Sequence, residues 1–150
     1  MERKYSPAVA EDTAEYVALR GKTRQNAISE ERLRSMGITA ETWAQDIRTG
    51  ELPGYICRLD RQVIGYCFGS RQDGEIVVLA ILPVGEGQGI GKELLSLVVR
   101  ELARLGHTRQ FLGCSRDPES RSYGFYRHLG WRPTGNVDKY GDQILELHTS

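Results

Sequence analysis

At 150 residues with 39% hydrophobic and 27% charged content, the chain has apolar material for one well-filled core and none for a second domain. Twenty Lys and Arg balance twenty Asp and Glu, which excludes the overall pull toward nucleic acid or an acidic membrane surface that a net positive charge would give. Cys57, Cys67 and Cys114 are too few for a disulfide framework and lack zinc-site spacing, so they read as reduced, mostly buried thiols. Met1-Glu2-Arg3-Lys4 leads into a polar stretch and no run approaches the ~20 apolar residues of a membrane span, so the expected location is the cytoplasm and no membrane partner is expected.

In chain order, Tyr5 to Val9 predicts a short strand. Asp12 then caps a helix through Arg20 with Ala14, Val17 and Ala18 on one side, closed by Gly21. Lys22 to Pro53 is polar, with Ser29 and Thr39 as caps for two short helices, the second pairing Trp43 with Ile47. Tyr55 to Leu59, Val63 to Ser70 and Glu75 to Leu82 are β-rich runs separated by Asp60-Arg61 and Asp73-Gly74, which reads as an antiparallel meander. Ile76 to Leu82 is apolar throughout, as expected of a strand covered on both faces at the centre of a sheet.

Ile90, Leu94, Leu97, Val98, Leu102 and Leu105 recur at helical spacing and predict a helix from Gly89 to Leu105, ended by Gly106. Gln110 to Cys114 is a further strand. Asp117-Pro118 has the signature of a helix start, continuing to Leu129 before Gly130. Trp131 to Asn136 and Gln143 to Leu147 complete the sheet. There is no internal repeat and no low-complexity segment.

The chemistry concentrates in Glu86-Gly87-Gln88-Gly89-Ile90-Gly91-Lys92, between an apolar strand and an amphipathic helix. Without Cβ atoms, Gly87, Gly89 and Gly91 let backbone N–H groups surround an anion, and the positive end of the helix dipole favours negative charge there. A diphosphate is the expected guest. The phosphate-binding P-loop does not fit, because Glu86 stands at its first glycine and Glu93 at its Ser/Thr. The dinucleotide fingerprint does not fit either: from Gly85 its last glycine is Ile90, and from Gly87 it is Lys92. A tight turn alone would not need four glycines within seven residues.

Strand, glycine loop and long helix together resemble the acetyl-CoA-binding motif of the GNAT superfamily of N-acetyltransferases, written Gln/Arg-x-x-Gly-x-Gly/Ala, with Gly89 and Gly91 at its two small positions. Phe125-Tyr126-Arg127-His128-Leu129-Gly130-Trp131 resembles the second family motif, a Tyr-containing helix end followed by Gly and an aromatic residue. Element order matches over nearly the whole chain, with recognisable motifs from Glu75 to Trp131. Two positions depart from the pattern: Glu86 stands where Gln or Arg is commoner, and Glu119 where many members carry Asn. The fold implied is α/β (α+β): a mixed, mostly antiparallel central sheet of six to seven strands, helices on both faces, and a splayed acetyl-CoA cleft.

The resemblance further implies that Leu79-Ala80-Ile81-Leu82 bulges and splays from its neighbour near Cys114, leaving backbone groups that bond the pantetheine amides as an added strand would. The diphosphate then sits on Gly87, Gln88, Gly89, Ile90, Gly91 and Lys92, with the Lys92 ammonium beside it. Amine acylation needs a neutral nucleophile, hence a carboxylate base. Glu75 is the candidate, since Glu75-Ile76-Val77-Val78-Leu79-Ala80-Ile81 resembles the base-bearing strand of the histone-acetylating branch; the alternative is a solvated residue after the Asp73-Gly74 turn. The Ile81 N–H would meet the oxyanion and Tyr126 would protonate the departing sulfur, unless Tyr126 simply packs in the core with Leu129.

Gly124, costly inside a helix by about 1 kcal/mol relative to Ala, suggests a close approach by the coenzyme, and Ser115 either reaches the pantetheine or serves helix entry. His107 and His128 sit near helix ends and are not assigned catalysis, and Cys114 is a core residue before it is an acetyl carrier. The acceptor, a small-molecule or peptide amine, would enter by Lys22 to Pro53 and the C-terminal hairpin, where Arg24, Asn26, Trp43 and Tyr140 are pocket-lining or filling groups. No metal is expected, and a homodimer is left open. Competing readings are a noncatalytic acyl-CoA-binding regulatory module and a domain that holds another nucleotide on the same loop.

Overall fold

The computed structural model describes residues 3–23 and 28–149, so Arg24 and Asn26 lie outside the described residues. The expected antiparallel meander is its centre. β1 (Arg3–Pro7), β2 (Gly54–Leu59), β3 (Gln62–Gly69) and β4 (Ile76–Ile81) form a four-stranded sheet in that order. β5 (Arg109–Cys114), β6 (Arg132–Val137) and β7 (Gln143–His148) form a second, antiparallel sheet in the order β5-β7-β6. A parallel bridge between Glu75 and Phe111 joins the two, with the Phe111 N–H donating to the Gly74 carbonyl at 3.3 Å.

Helices cover both faces, and the residues of β3 decide which helix goes where. A Cβ at Gly65 would come within 2.7 Å of Ile81 Cδ1 and 3.3 Å of Leu94 Cδ1, and one at Gly69 within 2.8 Å of Leu102 Cδ1. These bare positions let α4 (Ile90–Arg104) lie close on that face, burying Ile90, Leu94, Leu95, Val98 and Leu102. Tyr66 and Phe68 alternate with the glycines and so point to the other face. There their rings meet Tyr16 of α1 (Thr13–Arg20) and Trp43 of α3 (Ala40–Thr49), with centroids 5.4–5.6 Å apart. Trp43 is therefore core filling. The short α2 (Glu30–Ser35) and the later α5 (Arg121–His128) complete the helices.

Local signals hold at most helix ends. The Ser29 and Thr39 hydroxyls accept from the Arg32 and Thr42 amides at 3.1 Å, and Thr42 closes a capping box. α1 differs from expectation: it buries Tyr16, Val17 and Leu19, while Ala14 and Ala18 are exposed. The Tyr16 ring offers far more apolar area than two methyl groups, and its hydroxyl donates to the Val9 carbonyl at 2.9 Å. Asp12 occupies the N-cap position without capping; its carboxylate pairs with Arg58 of β2 instead.

α5 begins at Arg121 rather than at Asp117-Pro118. The Asp117 carboxylate accepts from the Glu119 amide at 3.0 Å and closes a local turn, so Ser120, whose hydroxyl accepts from the Tyr123 amide at 3.3 Å, becomes the cap. β4 also departs from expectation: it is the edge of its sheet, with Val77 47% exposed, and it is β3 that is buried along nearly its whole length. Cys57, Cys67 and Cys114 are free and buried. Among the described residues no helix is long and apolar enough to cross a membrane.

Candidate active site

The expected bulge in β4 lies earlier than Leu79 to Leu82. β3 and β4 pair regularly from Gly65↔Ile81 to Phe68↔Val78, then slip to Gly69↔Ile76, extruding Val77. The slip reverses which face each side chain takes. Ile76 now lies opposite Gly69, on the α4 face, so Glu75 emerges on the other face. Phe111, its bridge partner, is on that same face, because the neighbouring Gln110 donates from Nε2 to the Val99 carbonyl of α4 at 2.9 Å.

Beyond the bridge β4 and β5 diverge, and among the described residues no strand partners the outer edge of β4. The ladder fixes which amides face that gap. The Leu82 N–H donates to the Ile64 carbonyl of β3 at 2.8 Å, and antiparallel alternation gives Ala80 and Tyr66 the same inward bonding. Leu79 and Ile81 therefore turn their N–H and C=O groups outward.

A cleft of about 460 Å³ opens on this edge, lined by Leu79, Ala80, Ile81, the glycine loop and one face of α5. Gly87 and Gly89 have φ of +75° and +79°, and a Cβ on either would meet nothing within 4 Å, so the loop is an open concavity as well as a tight turn. Gly89 is the N-cap of α4 with no side chain capping it, which leaves the first amides of a 15-residue helix to the cleft. Gly91, the second residue of α4, faces Phe125 of α5, which a Cβ there would meet at 3.5 Å, an ordinary packing distance. An open cradle at a positive helix end beside an unpaired strand edge fits a diphosphate followed by an amide-bearing arm.

Of the expected residues, Leu79, Ala80, Ile81, Gly87, Gly89, Ile90, Gly91, Lys92 and Tyr126 line the cleft. Leu82 and Gln88 do not: Leu82 is buried with its amide on β3, and Gln88 donates from Nε2 to the Val84 carbonyl at 2.8 Å while accepting from Arg3. Glu75 is also outside the cleft, at the closed apex of the gap and on the opposite face from α4. Burial raises its carboxyl above the usual range, and the carboxylates of Asp73 and Asp138 raise it further. Tyr126 is 9% exposed, and burial holds its phenol well above its ordinary value, with the Cys67 and Cys114 thiols adding to the shift. Burial likewise keeps the Cys114 thiol protonated, which works against an acetyl-cysteine route.

Other lining residues escaped the reading of the sequence. Arg121, Ser122 and Phe125 lie with Tyr126 on one side of α5, Arg121 four residues before Phe125 and Ser122 four before Tyr126, so helical spacing from Tyr126 and its neighbour was the signal for them. Arg20 and Thr23, at the end of α1, carry no local signal. A Cβ at Gly124 would meet nothing within 4 Å, and Tyr140, 68% exposed, lies in the β6–β7 turn. His107 bonds the Arg71 carbonyl rather than its own helix end. Among the described residues no three His, Cys, Asp or Glu side chains gather to hold a metal ion.

The sequence model of the acetyltransferase (GNAT) family matches residues 17–131. The fold is shared with the PaiA N-acetyltransferase of Thermoplasma acidophilum, solved with coenzyme A (19% identity, 99% of each chain covered, TM-score 0.81). It is shared with yncA of Salmonella typhimurium, solved with acetyl-CoA (17% identity, 100% of this chain and 95% of that one, TM-score 0.76). The ribosomal-protein-S18-alanine N-acetyltransferase of Escherichia coli is similar too (16% identity, 99% and 95% covered, TM-score 0.71). A search of curated protein sequences finds no match. With its family match spanning strand, glycine loop and both cleft helices, the chain belongs to the acetyltransferase (GNAT) family.

Proposed function

We propose that this protein is an N-acetyltransferase, one domain over its 150 residues, that acetylates a primary amine of a small molecule or peptide by direct attack while both substrates are bound. The observation carrying this reading is the outward-facing edge of β4 running into the open cradle at the head of α4, with Tyr126 in the same cleft. A cytoplasmic location, where three buried thiols stay reduced, belongs to it.

Acetyl-CoA supplies the acyl group as a thioester. The amides of Gly87 to Lys92 and the Lys92 ammonium hold its diphosphate, Leu79 and Ile81 offer peptide groups to the pantetheine, and Leu79 and Phe125 keep water away. Glu75 takes a proton from the ammonium of the acceptor, directly or through water, from the sheet face opposite the coenzyme helices. A carboxyl raised by burial suits this task, because its conjugate base holds a proton more firmly than an ordinary carboxylate does. The Ile81 N–H steadies negative charge on the carbonyl oxygen. Tyr126 Oη carries the proton that the leaving sulfur takes; its raised pKa keeps it protonated at neutral pH.

A thiol-release assay with acetyl-CoA against a panel of small amines, peptide N-termini and lysine peptides tests the proposal. At least one amine should release free thiol with stoichiometric acetylated product, and initial-velocity lines should intersect. Stabilisation by acetyl-CoA without turnover on any amine would make the chain a binding module instead.

A further inference from the structure

Glu86 and Arg121 come from opposite walls of the cleft. Glu86 follows β4 at the entrance to the glycine loop, and Arg121 is the first residue of α5. Their side chains meet at 2.6 Å, Arg121 Nη1 on Glu86 Oε2, and both line the cleft. The carboxylate is the more sheltered of the two, its side chain 18% exposed against 56% for the arginine. The contact joins residues 35 apart in sequence, one beside the glycine loop and one on α5, both of which line the cleft.

The placement conflicts with the charge of the guest. Two positive-φ glycines, the uncapped head of α4 and Lys92 favour an anion in the loop, with Glu93 of the first helical turn outside the cleft lining. Glu86 adds a negative charge one residue from the first of those glycines, where a diphosphate would repel it. Arg121 neutralises that charge, and a guanidinium grips carboxylate and phosphate with the same fork geometry, so the two anions are interchangeable partners for it.

We propose that the Glu86–Arg121 ion pair is an exchangeable latch across the mouth of the cleft: the coenzyme's diphosphate takes Arg121 over from Glu86, making Arg121 a coenzyme-binding residue and Glu86 its built-in competitor. The inference rests on reading the cleft as the coenzyme site. A competitor of this kind weakens the hold on coenzyme A and so speeds release of that product after transfer. It also predicts opposite effects from the two halves of one salt bridge, whereas a bridge that only props the walls would give the same sign from both.

The test is calorimetric titration of coenzyme A, 3′-dephospho-coenzyme A and pantetheine into the full-length protein and its Glu86→Gln, Arg121→Gln and Arg121→Lys variants, each checked for an unchanged circular dichroism spectrum. Coenzyme A should bind Glu86→Gln about three- to tenfold more tightly than wild type and Arg121→Gln about tenfold more weakly, with Arg121→Lys between. The same ratios should hold for the dephospho compound and vanish for pantetheine. If both Gln variants weaken binding, or neither alters it while the wild type binds, the latch is wrong. An effect of Arg121→Gln that disappears with the dephospho compound would move the contact to the 3′-phosphate and overturn the diphosphate assignment. A wild type that takes up none of these ligands would instead end the coenzyme reading of the cleft.

Discussion

Glu75 and Tyr126 are pushed the same way, toward the protonated form, yet in the proposed mechanism the shift serves opposite purposes. For Tyr126 a raised pKa keeps the proton in place for delivery to sulfur. Tyr126→Phe should therefore lower kcat by about a hundredfold, the lower end of what a positioned acid contributes, while the Kd for coenzyme A stays within about threefold, because the ring and its packing against Trp131 remain. Single-turnover rates beside calorimetric affinities separate the two effects. Equal kcat in the two proteins would return Tyr126 to the core.

For Glu75 the raised pKa puts activity and stability in opposition. The fold favours the protonated carboxyl, so this group's contribution to stability is intact below the ordinary carboxylate range and is lost as pH rises through the raised folded value. The proposed base role needs the ionised form, so kcat/KM should climb through that same interval. Asp138→Asn removes one of the like charges that raise Glu75 while keeping the Oδ1 acceptor for the Tyr140 and Asp142 amides. It should move the acid limb of the pH–rate profile to lower pH. Glu75→Gln should abolish that limb and melt above wild type at neutral pH, the two proteins converging in acid. A limb that survives Glu75→Gln would assign the base elsewhere.

At the scale of elements, the site is an unfinished ladder. β4 is bonded along β3 and bare along its other edge past the Glu75 bridge, so its amides divide into two sets by alternation alone. In hydrogen exchange without ligand, Ala80 and Leu82 should be protected and Leu79 and Ile81 fast; saturating acetyl-CoA should slow Leu79 and Ile81 selectively. Uniform protection of all four before ligand is added would mean that the edge is closed. The apolar run from Ile76 to Ile81 showed the strand but not this division. A strand at the mouth of a cleft and one at the centre of a sheet carry the same residues, since both keep their side chains from water. Likewise Asp117-Pro118 has the composition of a helix start, and only the competition with Ser120 one turn later moved the boundary.

For the whole molecule, the division between what was legible and what was not follows the range of the forces involved. Caps at Ser29 and Thr39, the helix from Ile90, the turns of the meander and the glycine loop depend on residues close in sequence, so the sequence alone determined them. The glycine spacing and the Tyr126 motif also carried the family, because an anion cradle needs contiguous backbone. Three features were decided only by the tertiary structure. The slip at Val77 put Glu75 and the cleft on opposite faces, since one bulged residue reverses every side chain beyond it. Asp12 left its cap for Arg58, and Glu86 met Arg121 across 35 residues. A charge takes whichever partner the fold brings nearest, and no local pattern records which one that will be.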